Sequence, residues 1–239
     1  MTKEPNLLCD PETGLCTPLS DELLETSLVD NERKTELIYV GDPMCSWCWG
    51  ISKDLKLVID AFKSELNFKF ICGGLYPGGT GEWDENTKSF LMHHWKEIEE
   101  RTGQQFNYDL FDKEEFNYDT EPPSRAVVIA KELTPEKAFD FFVAIKERFY
   151  VQNGDPNELA FYLPLCDQFG IDKKLFRMKF SDPNYMKKSF LEFQRAAELG
   201  VRAFPTILLK AEEIHTVTRG YADGQTMITR VNQLLNQLA

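Results

Sequence analysis

Apolar positions change their period twice early in the chain. Glu36-Leu37-Ile38-Tyr39-Val40 is a short apolar run stopped by Gly41-Asp42-Pro43, which predicts a buried strand. Cys48, Ile51, Leu55, Val58 and Phe62 then recur at spacings of three and four, the apolar stripe of a helix. Asn67-Phe68-Lys69-Phe70-Ile71-Cys72, closed by Gly73-Gly74, predicts a second strand. Strand, helix, strand favours a parallel pair joined by a right-handed crossover.

From Tyr76 to about Gly200 the pattern is helical. Thr134-Pro135-Glu136 marks a helix start with Pro in the first turn, followed by Ala138, Phe139, Phe142, Ile145 and Phe149. Asp155-Pro156-Asn157-Glu158 has the form of a capping box whose helix ends near Phe169-Gly170. Ser181-Asp182-Pro183 opens another helix toward Leu199-Gly200, and weaker helical patterns cover 86–101 and 124–132. Strand character returns at Pro205–Leu209 and His215–Thr218, an adjacent antiparallel pair. A last helix carries Met227, Ile228, Val231, Leu234, Leu235 and Leu238. The expectation is an α/β protein in three parts. Residues 1–35 form a tail or an irregular lead-in, 36–76 with 201–239 form the strand-bearing domain, and 77–200 form an inserted helical subdomain.

Composition narrows the function classes. The chain has 239 residues, 42% hydrophobic and 28% charged, as a globular protein does. Lys and Arg number 27 against 39 Asp and Glu, a net charge of -12. That balance argues against nucleic acid, whose phosphates need a basic surface, and against a polybasic membrane contact. Met1–Asp10 shows no basic start followed by an apolar stretch of signal-peptide length, and no run is long enough to span a bilayer. The expected location is the cytoplasm. Six cysteines in such a chain point to redox chemistry or metal binding rather than a disulfide scaffold.

Cys45-Ser46-Trp47-Cys48 falls between the first strand and the first helix. Two cysteines at that spacing can close a disulfide across one helical turn. The free N–H groups and partial positive charge of a helix N-terminus favour a thiolate on the first. Cys45 is then exposed and nucleophilic, and Cys48 is deeper and resolves the mixed disulfide. The same pair could be half of a zinc site. No further ligands stand at a familiar spacing, and the adjacent His93 and His94 do not complete one, so no metal is expected. Pro205, in Val201-Arg202-Ala203-Phe204-Pro205-Thr206-Ile207, heads a strand. It is either an ordinary trans proline or a cis one whose turn offers backbone groups to an extended substrate.

Together these features resemble the DsbA family of thioredoxin-fold dithiol–disulfide oxidoreductases. Asp42-Pro43-Met44-Cys45-Ser46-Trp47-Cys48-Trp49-Gly50 and Glu121-Pro122-Pro123-Ser124-Arg125 are similar to its FrnE-like branch. The resemblance covers about 36–238. It implies a thioredoxin fold with a helical insertion, Cys45 as nucleophile, Cys48 as resolving thiol and Pro205 as the cis-proline. Ser46, Trp47 and Phe204 are the expected substrate-binding residues, and the partner is a disulfide-bearing protein or small molecule. No cofactor is needed beyond the redox-active cysteines, with glutathione a candidate co-substrate. The chain lacks the histidine that the periplasmic oxidase carries between its cysteines, which weakens a strong-oxidase reading. The same inserted fold also resembles kappa-class glutathione transferases and their isomerase relatives, the alternative reading.

Other residues are weighed individually. Cys9 and Cys16 bracket a Pro-, Asp- and Gly-containing loop and form a candidate second redox pair, with two unpaired thiols as the other reading. Cys72 and Cys166 read as small buried hydrophobes. His93, His94 and His215 suggest no role. Asp42 is a candidate proton acceptor for Cys48 or a turn residue before Pro43. Of Trp47 and Trp49, one is expected at a substrate rim and one in the core.

Overall fold

Four strands form the central sheet of the computed structural model, which describes residues 7–9, 16–18 and 35–238. Strand β3 (Glu36–Gly41) is buried from Leu37 onward. It pairs in parallel with β4 (Asn67–Cys72), Glu36 opposite Asn67 and Gly41 opposite Cys72. On its other side it pairs antiparallel with β5 (Thr206–Lys210), which pairs antiparallel with β6 (Ile214–Arg219). The sheet order is β4-β3-β5-β6. Alternation along β3 divides its side chains between two faces. Leu37 and Tyr39 enter the large core, whereas Ile38 and Val40 join Leu208, Ala196 and Val201 in a smaller one.

The predicted strands and the parallel first pair match the structure to within about a residue. The first helix does not run unbroken. It divides into α1 (Ser46–Gly50) and α2 (Ser52–Phe62) at Ile51, whose backbone stays right-handed. Because Ile51 keeps the apolar spacing, the stripe gives no sign of the break.

The helical stretch contains α3 (Glu85–Thr102), α4 (Glu121–Leu133), α5 (Ala138–Tyr150), α6 (Leu159–Phe169), α7 (Lys173–Phe180) and α8 (Pro183–Glu198). Its interior is aromatic. Trp95 is fully buried, with ring centroids of Phe111, Phe106 and Tyr150 at 4.8, 5.0 and 5.2 Å. Glu121 and Arg125 tie three helices together. Ser189 of α8 donates to Glu121 Oε1 at 2.7 Å, and Arg125 donates to the Phe180 carbonyl of α7 at 2.7 Å. The capping box at Asp155 does not form. Its carboxylate accepts from the Asn157 amide at 2.9 Å in a local turn, and the helix begins only at Leu159.

The last helix, α9 (Gly224–Leu238), packs on α2. Among the described residues no helix is long and apolar enough to cross a membrane.

Residues Met1–Arg33 form a separate unit. There β1 (Leu7–Cys9) and β2 (Cys16–Pro18) pair antiparallel, with Cys9 opposite Cys16 in the register. Those six positions are strand within the expected tail or lead-in; the side chains of Cys9 and Cys16 lie outside the described residues.

Candidate active site

The turn between β3 and α1 is fixed from several directions before any chemistry is considered. Asp42 is fully buried, and its two carboxylate oxygens accept from the amides of Met44 and Leu75, each at 2.8 Å. The Tyr118 hydroxyl donates to the Met44 carbonyl at 2.6 Å. Downstream, Trp49 donates from Nε1 to the Gln105 carbonyl, and Gln104 donates from Nε2 to the Trp49 carbonyl, both at 3.0 Å. Asp42 is therefore a turn anchor with both oxygens occupied. Burial pushes its carboxyl up to about 6, against the pull of those amide donors.

Cys45 is the N-cap of α1, and the Cys48 amide donates to its Sγ at 3.3 Å. This is the place where free N–H groups stabilise a thiolate. The Cys45 thiol also lies 3.6 Å from the Phe204 carbonyl, as a donor to it. The Phe204–Pro205 bond is cis, as the resemblance implied. Residues 159 positions apart in the chain thus meet at one sulfur. Cys45 is not openly exposed as expected: it is 5% accessible and Cys48 is 0%. The order of depth is as predicted, but both thiols are buried.

Trp47 and Trp49 separate cleanly. Trp49 is buried and stacks on Tyr150. Trp47 is half-buried against Tyr221 at 5.9 Å, with the Arg101 guanidinium 5.2 Å above its ring. Ser46 is half-buried at the start of α1, and half-buried Phe204 sits over Gly73, where a Cβ would overlap its ring. Trp47, Ser46 and Phe204 are thus each half-buried, and the Phe204 carbonyl meets the Cys45 thiol.

Three polar side chains beneath the cysteines carry no sequence motif. The Tyr39 phenol lies buried beside Cys48, over Gly41, where a Cβ would overlap its oxygen and ring. Lys146, from α5, is fully buried; its Nζ donates to the Cys48 carbonyl and to Ser52 Oγ, both at 2.9 Å. Tyr118 touches Tyr150 at 3.4 Å, oxygen to oxygen. Lys146 was open to detection, since it falls on the buried stripe between Phe142 and Phe149.

Burial raises the Cys45 thiol, as do its hydrogen bond to Cys48 and the nearby charges. Burial also opposes a charge on Cys48. The Cys45 thiol, the nearby Tyr39 phenol and the Lys146 charge outweigh it, and the net direction is down. The two thiols are close enough that the protonation of each depends on the other. Burial likewise lowers Lys146 to about 8. Cys72 and Cys166 are buried, and burial pushes both thiols up, Cys166 to about 11. Among the described residues no cluster of three or more His, Cys, Asp or Glu could hold a metal ion.

Neither family models nor curated protein sequences match the chain. Solved structures do. A candidate protein disulfide isomerase from Nitrosomonas europaea is 31% identical, with a TM-score of 0.78 over 86% of this chain and 100% of that one. The chain belongs to the DsbA family of thioredoxin-fold oxidoreductases. The cytosolic disulfide reductase DsbM from Pseudomonas aeruginosa, solved with glutathione, is 25% identical, with a TM-score of 0.64 over 85% of this chain and 100% of that one. A 2-hydroxychromene-2-carboxylate isomerase matches with a TM-score of 0.58 at 10% identity over 84% of this chain and 95% of that one, a likeness of fold alone. This DsbA-family enzyme therefore has the expected mixed sheet with a helical insertion, and its broad activity is thiol–disulfide oxidoreduction.

Proposed function

We propose that Cys45 is the attacking thiolate and Cys48 the resolving thiol of this DsbA-family enzyme, acting on disulfides of proteins or small molecules. The observation that carries the reading is the position of Cys45 Sγ, which caps α1 and lies 3.6 Å from the carbonyl before cis-Pro205. Cys45 thiolate attacks one sulfur of a substrate disulfide and expels the other as a thiolate. Cys48 then attacks the Cys45 sulfur, releases the second substrate thiol and leaves Cys45 and Cys48 joined. Two electrons pass to the substrate, and the reverse sequence oxidises a dithiol. Backbone at the cis-Pro205 turn and the rim of Ser46, Trp47 and Phe204 receive the substrate.

Glutathione is the proposed co-substrate, supported by its presence in the DsbM structure. Two glutathione thiols restore the dithiol and leave as glutathione disulfide. The cytosolic setting of DsbM supports the same compartment here, and the Asp42–Gly50 and Glu121–Arg125 strings support the FrnE-like branch. Cys9 and Cys16, opposed in the β1–β2 register, are proposed as a second redox pair.

A redox titration against glutathione, with alkylation mapped to each cysteine, tests these assignments together. Cys45 and Cys48 are expected to titrate as one pair and Cys9 and Cys16 as another. Cys45→Ser should lose turnover, and Cys48→Ser should accumulate mixed disulfide. Retained turnover in Cys45→Ser would overturn the mechanism, and independent alkylation of Cys9 and Cys16 would remove the second pair.

A further inference from the structure

Lys146 is an unusual group to find under a pair of cysteines. It comes from α5, outside the strand frame, and none of its side chain reaches solvent. A buried ammonium is ordinarily matched by a carboxylate. Among the described residues no Asp or Glu pairs with Lys146. Its partners are the Cys48 carbonyl and Ser52 Oγ at 2.9 Å and the face of Phe142 at 4.4 Å. Ser52 in turn donates to the same Cys48 carbonyl at 3.0 Å. These contacts hold the ammonium against one residue, Cys48.

We propose that Lys146 is a positioning residue that acts through Cys48, supplying the buried positive charge that keeps the resolving thiol ionised while Cys45 is tied up in a mixed disulfide. This deepens the function proposed above and rests on its assignment of Cys48. The site holds the other groups that bear on the titration. Tyr39 and the Asp42 amide face Cys48 from β3 and its end, and Cys45 faces it from α1. Tyr118 and Tyr150 interact with Cys45, and the Asp42 carboxylate repels a charge on it. Burial pushes Tyr39, Tyr118 and Tyr150 upward, so all three stay protonated. Lys146 is the cation among these groups.

The step balances without an added reactant. Attack by Cys45 thiolate expels a substrate thiolate, which takes the proton from Cys48. Cys48 thiolate then forms opposite the Lys146 ammonium, attacks the Cys45 sulfur and expels the second substrate thiolate. At neutral pH, below its value of about 8, Lys146 keeps its proton through both steps, so its contribution is a charge and not a proton transfer. The effect belongs to the second half of the exchange. While both cysteines are free, the dependence of each thiol on the other masks it.

Two measurements test this in the full chain. In Cys45→Ser, Cys48 titrates alone and can be followed by NMR of cysteine labelled at Cβ. Adding Lys146→Met, close in volume but uncharged, should raise its midpoint by about one pH unit or more. In the chain with both cysteines, the glutathione mixed disulfide trapped by acid quench should persist about tenfold longer at neutral pH in Lys146→Met. The difference should close at alkaline pH, where Cys48 ionises unaided. A structural role alone would leave the Cys48 midpoint unmoved.

If Lys146→Met does not fold, the reciprocal measurement replaces it, because coupling between two sites is mutual. NMR of lysine labelled at Cε in Cys45→Ser should show the Lys146 midpoint falling when Cys48→Ala is added. An unmoved Cys48 midpoint or, in the reciprocal form, an unmoved Lys146 midpoint overturns the proposal. Both titrations are independent of turnover. A chain that fails to exchange disulfides would sink the proposed function while the Lys146–Cys48 coupling is still read.

Discussion

Residues of the strand frame set the turn that carries the two cysteines, whereas residues of the helical stretch reach beneath it with side-chain tips. The end of β3 presents a turn tied through Asp42, and the chain before β5 presents the Phe204 carbonyl. The helices and their connections send in the Tyr118 hydroxyl, the Lys146 ammonium and the Tyr150 ring that backs Trp49. The Phe204 carbonyl survives a change of its side chain; each of those tips, like the Asp42 carboxylate, is lost with a single substitution. The comparison teaches that the inserted helices form the floor of the site and do more than shelter it. Disturbing them should change the chemistry even where no substrate touches them.

The largest effect should come from the aromatic core of the insertion. Trp95→Ala removes a fully buried ring that packs on Tyr150, the ring behind Trp49. It should cost about 3–5 kcal/mol in denaturant melts and slow disulfide exchange as well. Loss of stability with unchanged exchange in the remaining folded protein would break the link between insertion and site. Tyr118→Phe is finer. It removes only the oxygen that donates to the Met44 carbonyl, next to Cys45. Leaving that buried acceptor unmet should cost about 1–3 kcal/mol and slow attack by Cys45.

The smallest effect sharpens the comparison from the far side. Glu132 of α4 meets Lys179, Lys188 and Tyr185, away from the cysteines. Burial works against its charge, but those hydrogen bonds prevail and hold its carboxyl down at about 2, below the usual 4.5. An acid with a depressed folded value stabilises the fold above its unfolded value and loses that contribution as pH falls toward 2. Glu132 is partly open to solvent. Glu132→Gln should therefore cost less than about 1 kcal/mol at neutral pH once screening is counted. The difference should shrink between pH 4.5 and 2 in melts across pH, with exchange rates unchanged.

How much of this could be read beforehand depended on what each residue advertises. The strands were legible because β3 and β5 are continuous apolar runs cut by turn residues, a pattern only burial explains. Cys45, Cys48 and Pro205 were legible because their spacing and context form a motif. Helix α7 was missed: it is eight residues long and rich in lysine, with Phe176 and Phe180 as its only buried side chains. Tyr39 read as one more apolar strand residue, since a phenol does not show in a hydrophobic run whether its oxygen will be used. Lys146 was a charged residue on a buried stripe, a visible conflict between polarity and position. Tyr118 sits outside any regular element, where no period assigns it a direction.

Gly41 carries one last consequence. The buried Tyr39 phenol lies over a residue with no side chain, so the two positions are sterically coupled. A lone change at 41 evicts the ring, whereas a smaller residue at 39 lifts the restriction at 41. Homologous sequences should therefore show strong epistasis between these neighbours, with the glycine kept wherever the tyrosine is kept and free to drift once it is gone.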